Sequence, residues 1–308
     1  MFKKNFIINL FLIFFFQINA ILADAFDAKI DEIRAEINRN DLKSAINLLE
    51  KIKVGNDTQQ DKVHILYGDI YLKINQTIKA EEFYEKAFFT TNKYVESLSL
   101  VGLAEVKLIQ GKIDKSIRLS KQAISINPDL IRPKIILSTA LTRICEGQQA
   151  IEILQDLYDN QKTAAVSLAI SDYYFAFNDI DAAVNILENY LKRNPNHIRV
   201  LDQIAGLYLF KGEKQKAIEN FKKVIEINSQ YTNAYNNLGL VYSSMGFYKE
   251  AVNSFIKTLE LEKDNPVAKK SLIYLLTYYS TNDNHPLIIA NNNLKKIQKK
   301  LLLEMELV

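Results

Sequence analysis

Residues 233–262, NAYNNLGLVYSSMGFYKEAVNSFIKTLELE, decide the architecture. Tyr235, Leu238, Gly239 and Tyr242 fall at helical spacing before Gly246, and Ala251, Phe255 and Leu259 follow at helical spacing after it. The pattern predicts two amphipathic helices of about 12 to 14 residues separated by a turn at Gly246. Gly239 and Ala251 are small because two antiparallel helices approach closely only where side chains are minimal, with aromatics filling the space beside the contact. Neither helix buries its apolar face alone, so such a unit requires neighbours.

The neighbours are present in the chain. Ala45, Ala80, Ala150, Ala183, Ala217 and Ala251 recur at 33 to 35 residues or a near multiple, with Ser116 in the one gap, and Tyr174, Tyr208 and Tyr242 are spaced by 34. Small residues at that period mean stacked two-helix units, not one globular core. At these residues the chain resembles the tetratricopeptide repeat family, whose 34-residue pattern runs large-apolar, Leu, Gly, Tyr, then Gly, Ala, Phe, Ala and Pro. The resemblance implies an all-α fold: a right-handed superhelical solenoid of about seven helix-turn-helix repeats with a C-terminal capping helix. The units fall at 26–59, 61–94, 97–130, 131–163, 164–197, 198–231 and 232–265, and Pro128 and Pro195 occupy the family's terminal proline position. In the first unit Ile30, Ile33 and Ile37 run one register away and Asn40 replaces the turn glycine, as suits a terminal repeat. The fourth unit carries Cys145 and Gly147 around its turn and is one residue short.

The two ends differ from the body. MFKKN followed by FIINLFLIFFF and by Ala23-Asp24-Ala25 reads as a secretory signal peptide over residues 1–25, with an uncleaved membrane anchor as the alternative. The expected location is therefore a bacterial periplasm, or the inner membrane if the anchor stays. Residues 266–308 are expected to cap the solenoid. PVAKKSLIYLLTYYS starts like a further first helix, and after Pro286 an apolar face of Leu294, Ile297, Leu301 and Met305 lies opposite four lysines. That helix is expected to pack on its own solenoid or, making a homodimer, on a second copy.

Charge and chemistry narrow the function. The net charge is +3, and +2 without residues 1–25, so a nucleic-acid-binding stripe is disfavoured. One cysteine excludes an intramolecular disulfide, and Cys145 reads as a packed thiol. Two glycosylation sequons, at Asn56 and Asn75, matter only in a eukaryotic secretory pathway. His64, His197 and His285 are scattered, and no metal-ligand spacing, phosphate-binding glycine loop or cofactor motif occurs. Ser254 and Lys257 form an SxxK, read as an exposed face of the seventh unit's second helix. No enzyme, no metal and no cofactor are expected.

What remains is surface. In the family, the first helix of each unit lines the concave side and contacts ligands at positions two, five, six, nine, twelve and thirteen. The twelfth position carries Leu72, Leu108, Thr142, Phe175, Leu209 and Ser243, with Phe210 beside it at the thirteenth. The resemblance implies a groove for a protein or peptide segment, with Phe175 and Phe210 as anchors and Glu105, Asp172 and Gln203 setting selectivity. Gln203 and Asn237, at the sixth position, would grip a peptide main chain. Asp202 and Gly206 stand where a carboxylate-clamp adaptor needs Lys and Asn, so that clamp is not expected. The expected role is a scaffold of the cell envelope. The alternative is an accessory subunit for polysaccharide synthesis, export or glycosyl transfer, which needs exposed faces on Tyr174, Phe175, Tyr208 and Phe210.

Overall fold

A computed structural model describes residues 25–39 and 41–280, and every regular element among them is an α-helix. The chain divides between residues 157 and 158 into two compact units. The first contains α1 (25–39), α2 (Leu42–Lys51), α3 (Asp57–Lys73), α4 (Thr77–Phe88), α5 (Lys93–Ile109), α6 (Ile113–Ile126) and α7 (Ile131–Arg143), and α8 (Gly147–Asn160) runs across the division. The second contains α9 (Ala164–Ala176), α10 (Ile180–Leu191), α11 (Ile198–Phe210), α12 (Lys214–Ile227), α13 (Thr232–Ser244), α14 (Tyr248–Leu261) and α15 (Pro266–Ser280).

Each unit is a stack of helical hairpins, and one residue per hairpin makes the turn. Asn75, Gly111, Cys145, Asn178, Gly212 and Gly246 all have φ between 59 and 79°. That left-handed backbone suits glycine, is tolerated by asparagine and costs any other side chain. In the fourth unit the strained residue is therefore Cys145, while Gly147 is the buried first residue of α8. Cys145 is exposed, which corrects the packed-thiol reading: a turn residue held left-handed has no helix face to bury itself in.

The small positions are notches for aromatic rings. Tyr84 is fully buried, and a Cβ at Gly68 would lie 2.5 Å from its ring. A Cβ at Gly102 would meet the same ring, so one tyrosine wedges between α3 and α5. Gly239 does this for Phe255, whose Cε1 would be 2.6 Å from an added methyl. Ser116 takes the place of alanine in α6 by donating its hydroxyl to the Ala104 carbonyl at 2.8 Å.

In the second unit, α9, α11, α13 and α15 begin at Ala164, Ile198, Thr232 and Pro266, a constant step of 34 that matches the expected boundaries. In the first unit α7 begins at Ile131, also at its expected boundary, while two helices depart from theirs. These are α3 and α5, which begin at Asp57 and Lys93, a turn before the expected starts, because Asn56 and Asn92 cap them: Asn56 accepts from the Gln59 amide at 2.9 Å, and Asn92 from Tyr94 and Val95 at 3.0 and 3.1 Å. At the N-terminal end Phe26, Ile30, Ile33 and Ile37 pack against Ala45, Leu49, Val63, Leu66 and Ile70, so the shifted register still builds a core. In α15, Leu272 and Leu276 are buried and Ile273 packs beside them, continuing the stack against Phe255. No described helix is long and apolar enough to cross a membrane. Asn40, the expected signal peptide through residue 24 and the lysine-rich segment after Pro286 lie outside the described residues.

Candidate functional site

The first helices of the second unit carry the most open apolar surface at the expected positions. Phe175, near the end of α9, is 42% exposed, and Phe210, the last residue of α11, is 62% exposed. Their rings meet edge to face with centroids 5.1 Å apart and planes at 77°. Four residues before Phe210, a Cβ at Gly206 would find no heavy atom within 4 Å, so the surface beside the pair is open. Asp172, Gly206, Leu240 and Tyr274 each occupy the ninth place of α9, α11, α13 and α15. Leu240 and Tyr274 are also exposed, the latter to 65%. A reading that favoured the twelfth position missed these two; the constant 34-residue step was the signal that finds them.

Polar groups flank the aromatics. Gln203 Nε2 donates to Asp172 Oδ1 at 2.6 Å, tying α11 to α9. One amide N–H of Gln203 is thereby engaged, while its second N–H and its carbonyl oxygen are the groups that could meet a peptide main chain. Loss of bulk water raises the Asp172 carboxyl, opposed by the Gln203 hydrogen bond and by Arg199. Asp202 Oδ2 accepts from the Tyr231 hydroxyl at 3.0 Å, while its buried Oδ1 has no partner among the described residues. Burial raises that carboxyl as well, and burial together with Asp202 pushes the Tyr231 phenol up to about 12. Asn237 is partly buried, and the buried Oδ1 of its neighbour Asn236 lacks a partner among the described residues.

Other expected contacts are structural. Leu108 is 7% exposed and belongs to the core around Ala104 and Ala140, which corrects its place on an open track. Leu72 and Leu209 are partly buried against their own cores. The Thr142 hydroxyl donates to the Ser138 carbonyl at 2.8 Å. Glu105 is engaged by Arg132, whose Nε and Nη2 donate to Glu105 Oε2 at 2.9 and 2.6 Å while Nη1 reaches Asp69 Oδ1 at 3.1 Å. Asp69 also accepts from the Tyr84 hydroxyl at 2.7 Å. Arg132 thus joins α3, α5 and α7, and Asp69 and Glu105 serve the packing of the first unit.

Two further expectations change with the geometry. Ser254 is buried, not on an open face, and its hydroxyl donates to the Glu250 carbonyl at 2.8 Å. Lys257 pairs with Glu260 at 2.9 Å, turned to that acid. Tyr208 is buried with its hydroxyl on Glu188 at 2.5 Å, and Tyr174 is partly buried, so the four-aromatic platform needed for a glycan does not assemble. Among the described residues no three His, Cys, Asp or Glu side chains are grouped as metal ligands.

Stacked hairpins with aromatic wedges and left-handed turns define an all-α helical-repeat protein. Models of the tetratricopeptide repeat match residues 61–88 in the first unit, and residues 207–246 and 232–262 in the second. Over 158 residues the chain is 26% identical to BBSome complex member BBS4 from Bos taurus, covering 51% of this chain and 30% of that protein. Over 217 residues it is 21% identical to protein O-mannosyl-transferase TMTC1 from Homo sapiens, covering 68% of this chain and 24% of that one. The chain thus spans less than a third of either relative's length. A solved tetratricopeptide repeat protein from Parabacteroides merdae superposes with a TM-score of 0.55 at 17% identity, over 82% of this chain and 98% of that one, a likeness of fold. Proteins of this fold generally mediate protein–protein association.

Proposed function

We propose that the chain is a non-catalytic scaffold of the cell envelope that holds a protein or peptide segment against the first helices of its second unit. The exposed Phe175–Phe210 pair carries this reading. Two large rings held open to solvent by rigid helices offer apolar area that only an incoming partner removes from water, and aromatic anchors of this kind dominate interface energies. The open surface at Gly206 leaves room for a main chain beside the rings, and Leu240 extends the apolar surface onto α13. Because packed neighbours fix each helix, little ordering cost falls on the protein side of the contact.

Export rests on the charged, apolar and small-residue succession of residues 1–25. Either removal of that segment or its retention as an anchor delivers the repeats to the envelope. The test is quantitative affinity purification of the full chain from its own cells beside a Phe175→Ser/Phe210→Ser variant. A protein retained by the unmodified chain and lost from a normally folded variant supports the groove. An identical set of retained proteins refutes it.

A further inference from the structure

We propose a second site, for a phosphoryl group, in the cleft formed by the end of α8, the start of α9 and the end of α10. The cleft encloses about 260 Å³. Lys162, Lys192 and Arg193 line it together with the amides of Asn189 and Asn194, and no carboxylate does so among the described residues. Tyr158, Ser167 and Tyr190 also line it.

The cations are held but not neutralised. Lys162 Nζ lies 5.3 Å from the centroid of the Tyr158 ring, Lys192 donates to Asn189 Oδ1 at 2.9 Å, and Asn194 Nδ2 donates one N–H to the Tyr190 carbonyl at 3.4 Å, leaving its second N–H for a ligand. Arg193 makes no ion pair with any described acid. Nearby Glu188, which sits just before the lining residues, is engaged by the Tyr208 hydroxyl. The C-terminal carbonyls of α10 favour cations in the next turn, which makes Lys192 and Arg193 tolerable there without a ligand. Three positive charges around one concave wall nonetheless repel one another and focus a field that an anion relieves.

The donor set selects a phosphoryl group over a carboxylate. A guanidinium fork, two ammonium groups and two side-chain amides supply more hydrogen-bond donors than two carboxylate oxygens accept, and the three oxygens and near-double charge of a phosphate match them better.

Calorimetric titration of the full chain with inorganic phosphate at low ionic strength tests the site. Saturable binding is expected, weakened about tenfold or more by Arg193→Gln, which removes a charge-assisted donor. Lys222→Gln, an exposed lysine on α12, should leave it unchanged, and melting curves of both variants should match the parent. Titration with glucose 1-phosphate separates the sources: tighter binding than phosphate points to a phosphosugar whose ring also contacts the cleft, and equal binding points to a free or terminal phosphoryl group. Absence of saturable binding by either ligand, or an equal loss in Lys222→Gln, overturns the proposal.

Discussion

A methyl group added at Gly239 and the same methyl added at Gly206 should move stability in opposite directions. Both glycines lie inside helices, α13 and α11, so both substitutions gain about 1 kcal/mol of helix propensity. At Gly239 the new Cβ would sit 2.6 Å from Phe255 Cε1 and 2.8 Å from two further ring carbons. Carbon atoms at rest stand about 3.5–4.0 Å apart, so the overlap approaches ~1 Å. Phe255 is fully buried among Ala251, Val252 and Leu272 and cannot swing away. Overpacking of that size costs about 1–3 kcal/mol, leaving a net loss of up to about 2 kcal/mol. At Gly206 nothing lies within 4 Å, and the gain of about 1 kcal/mol stands. Urea unfolding followed by far-ultraviolet circular dichroism reads both, and transition midpoints are the quantity to compare because repeat arrays need not unfold in one step. In a Phe255→Leu background the Gly239→Ala penalty should vanish. Equal stabilisation by the two substitutions in the parent chain would refute the wedge.

Cys145→Gly should raise the melting temperature: relief of a left-handed side chain is worth about 1–2 kcal/mol, and the added freedom of glycine in the unfolded chain returns about 0.5–1 kcal/mol of it. Arg132→Gln should destabilise the first unit by about 1 kcal/mol, a figure discounted because the arginine side chain is 47% exposed, and the loss measured by thermal unfolding should shrink at high salt. Asp202→Asn should stabilise the protein at neutral pH. The folded Asp202 carboxyl is raised by burial above its ordinary 3.8, so the folded state holds its proton more tightly than the unfolded state. Stability contributed by this group is therefore highest below 3.8, falls as pH rises through the raised folded value, and stays lower above it. Melting curves of parent and Asp202→Asn should diverge with rising pH through that window; parallel curves would contradict it.

Most of the fold was legible because packing requires small residues at a fixed period. The 34-residue step of Tyr174, Tyr208 and Tyr242 located α9, α11 and α13, and the continuing pattern at Leu272 and Leu276 located α15. Boundaries in the first unit were less legible, since Asn56 and Asn92 add a capped turn that the core pattern does not encode. The candidate surface was half legible. Position in the repeat picks the helix face but not the depth of a side chain, which depends on its neighbours: Phe175 and Phe210 stand open while Leu108, at the same place as Phe175 in its unit, is core. Long-range polar partners were beyond sequence reading altogether. Nothing in the order of residues announces that Arg132 reaches both Glu105 and Asp69, or that Gln203 donates to Asp172.

The central claim, that the open aromatic pair receives a protein segment, is tested most directly by photo-crosslinking in the protein's own cells. A photoreactive residue is placed at Phe175, at Phe210 and, as a control on α14, at exposed Asn253. The account predicts one dominant protein adduct shared by Phe175 and Phe210 and absent at Asn253. No adduct at either phenylalanine, or the same adducts at all three positions, would contradict it.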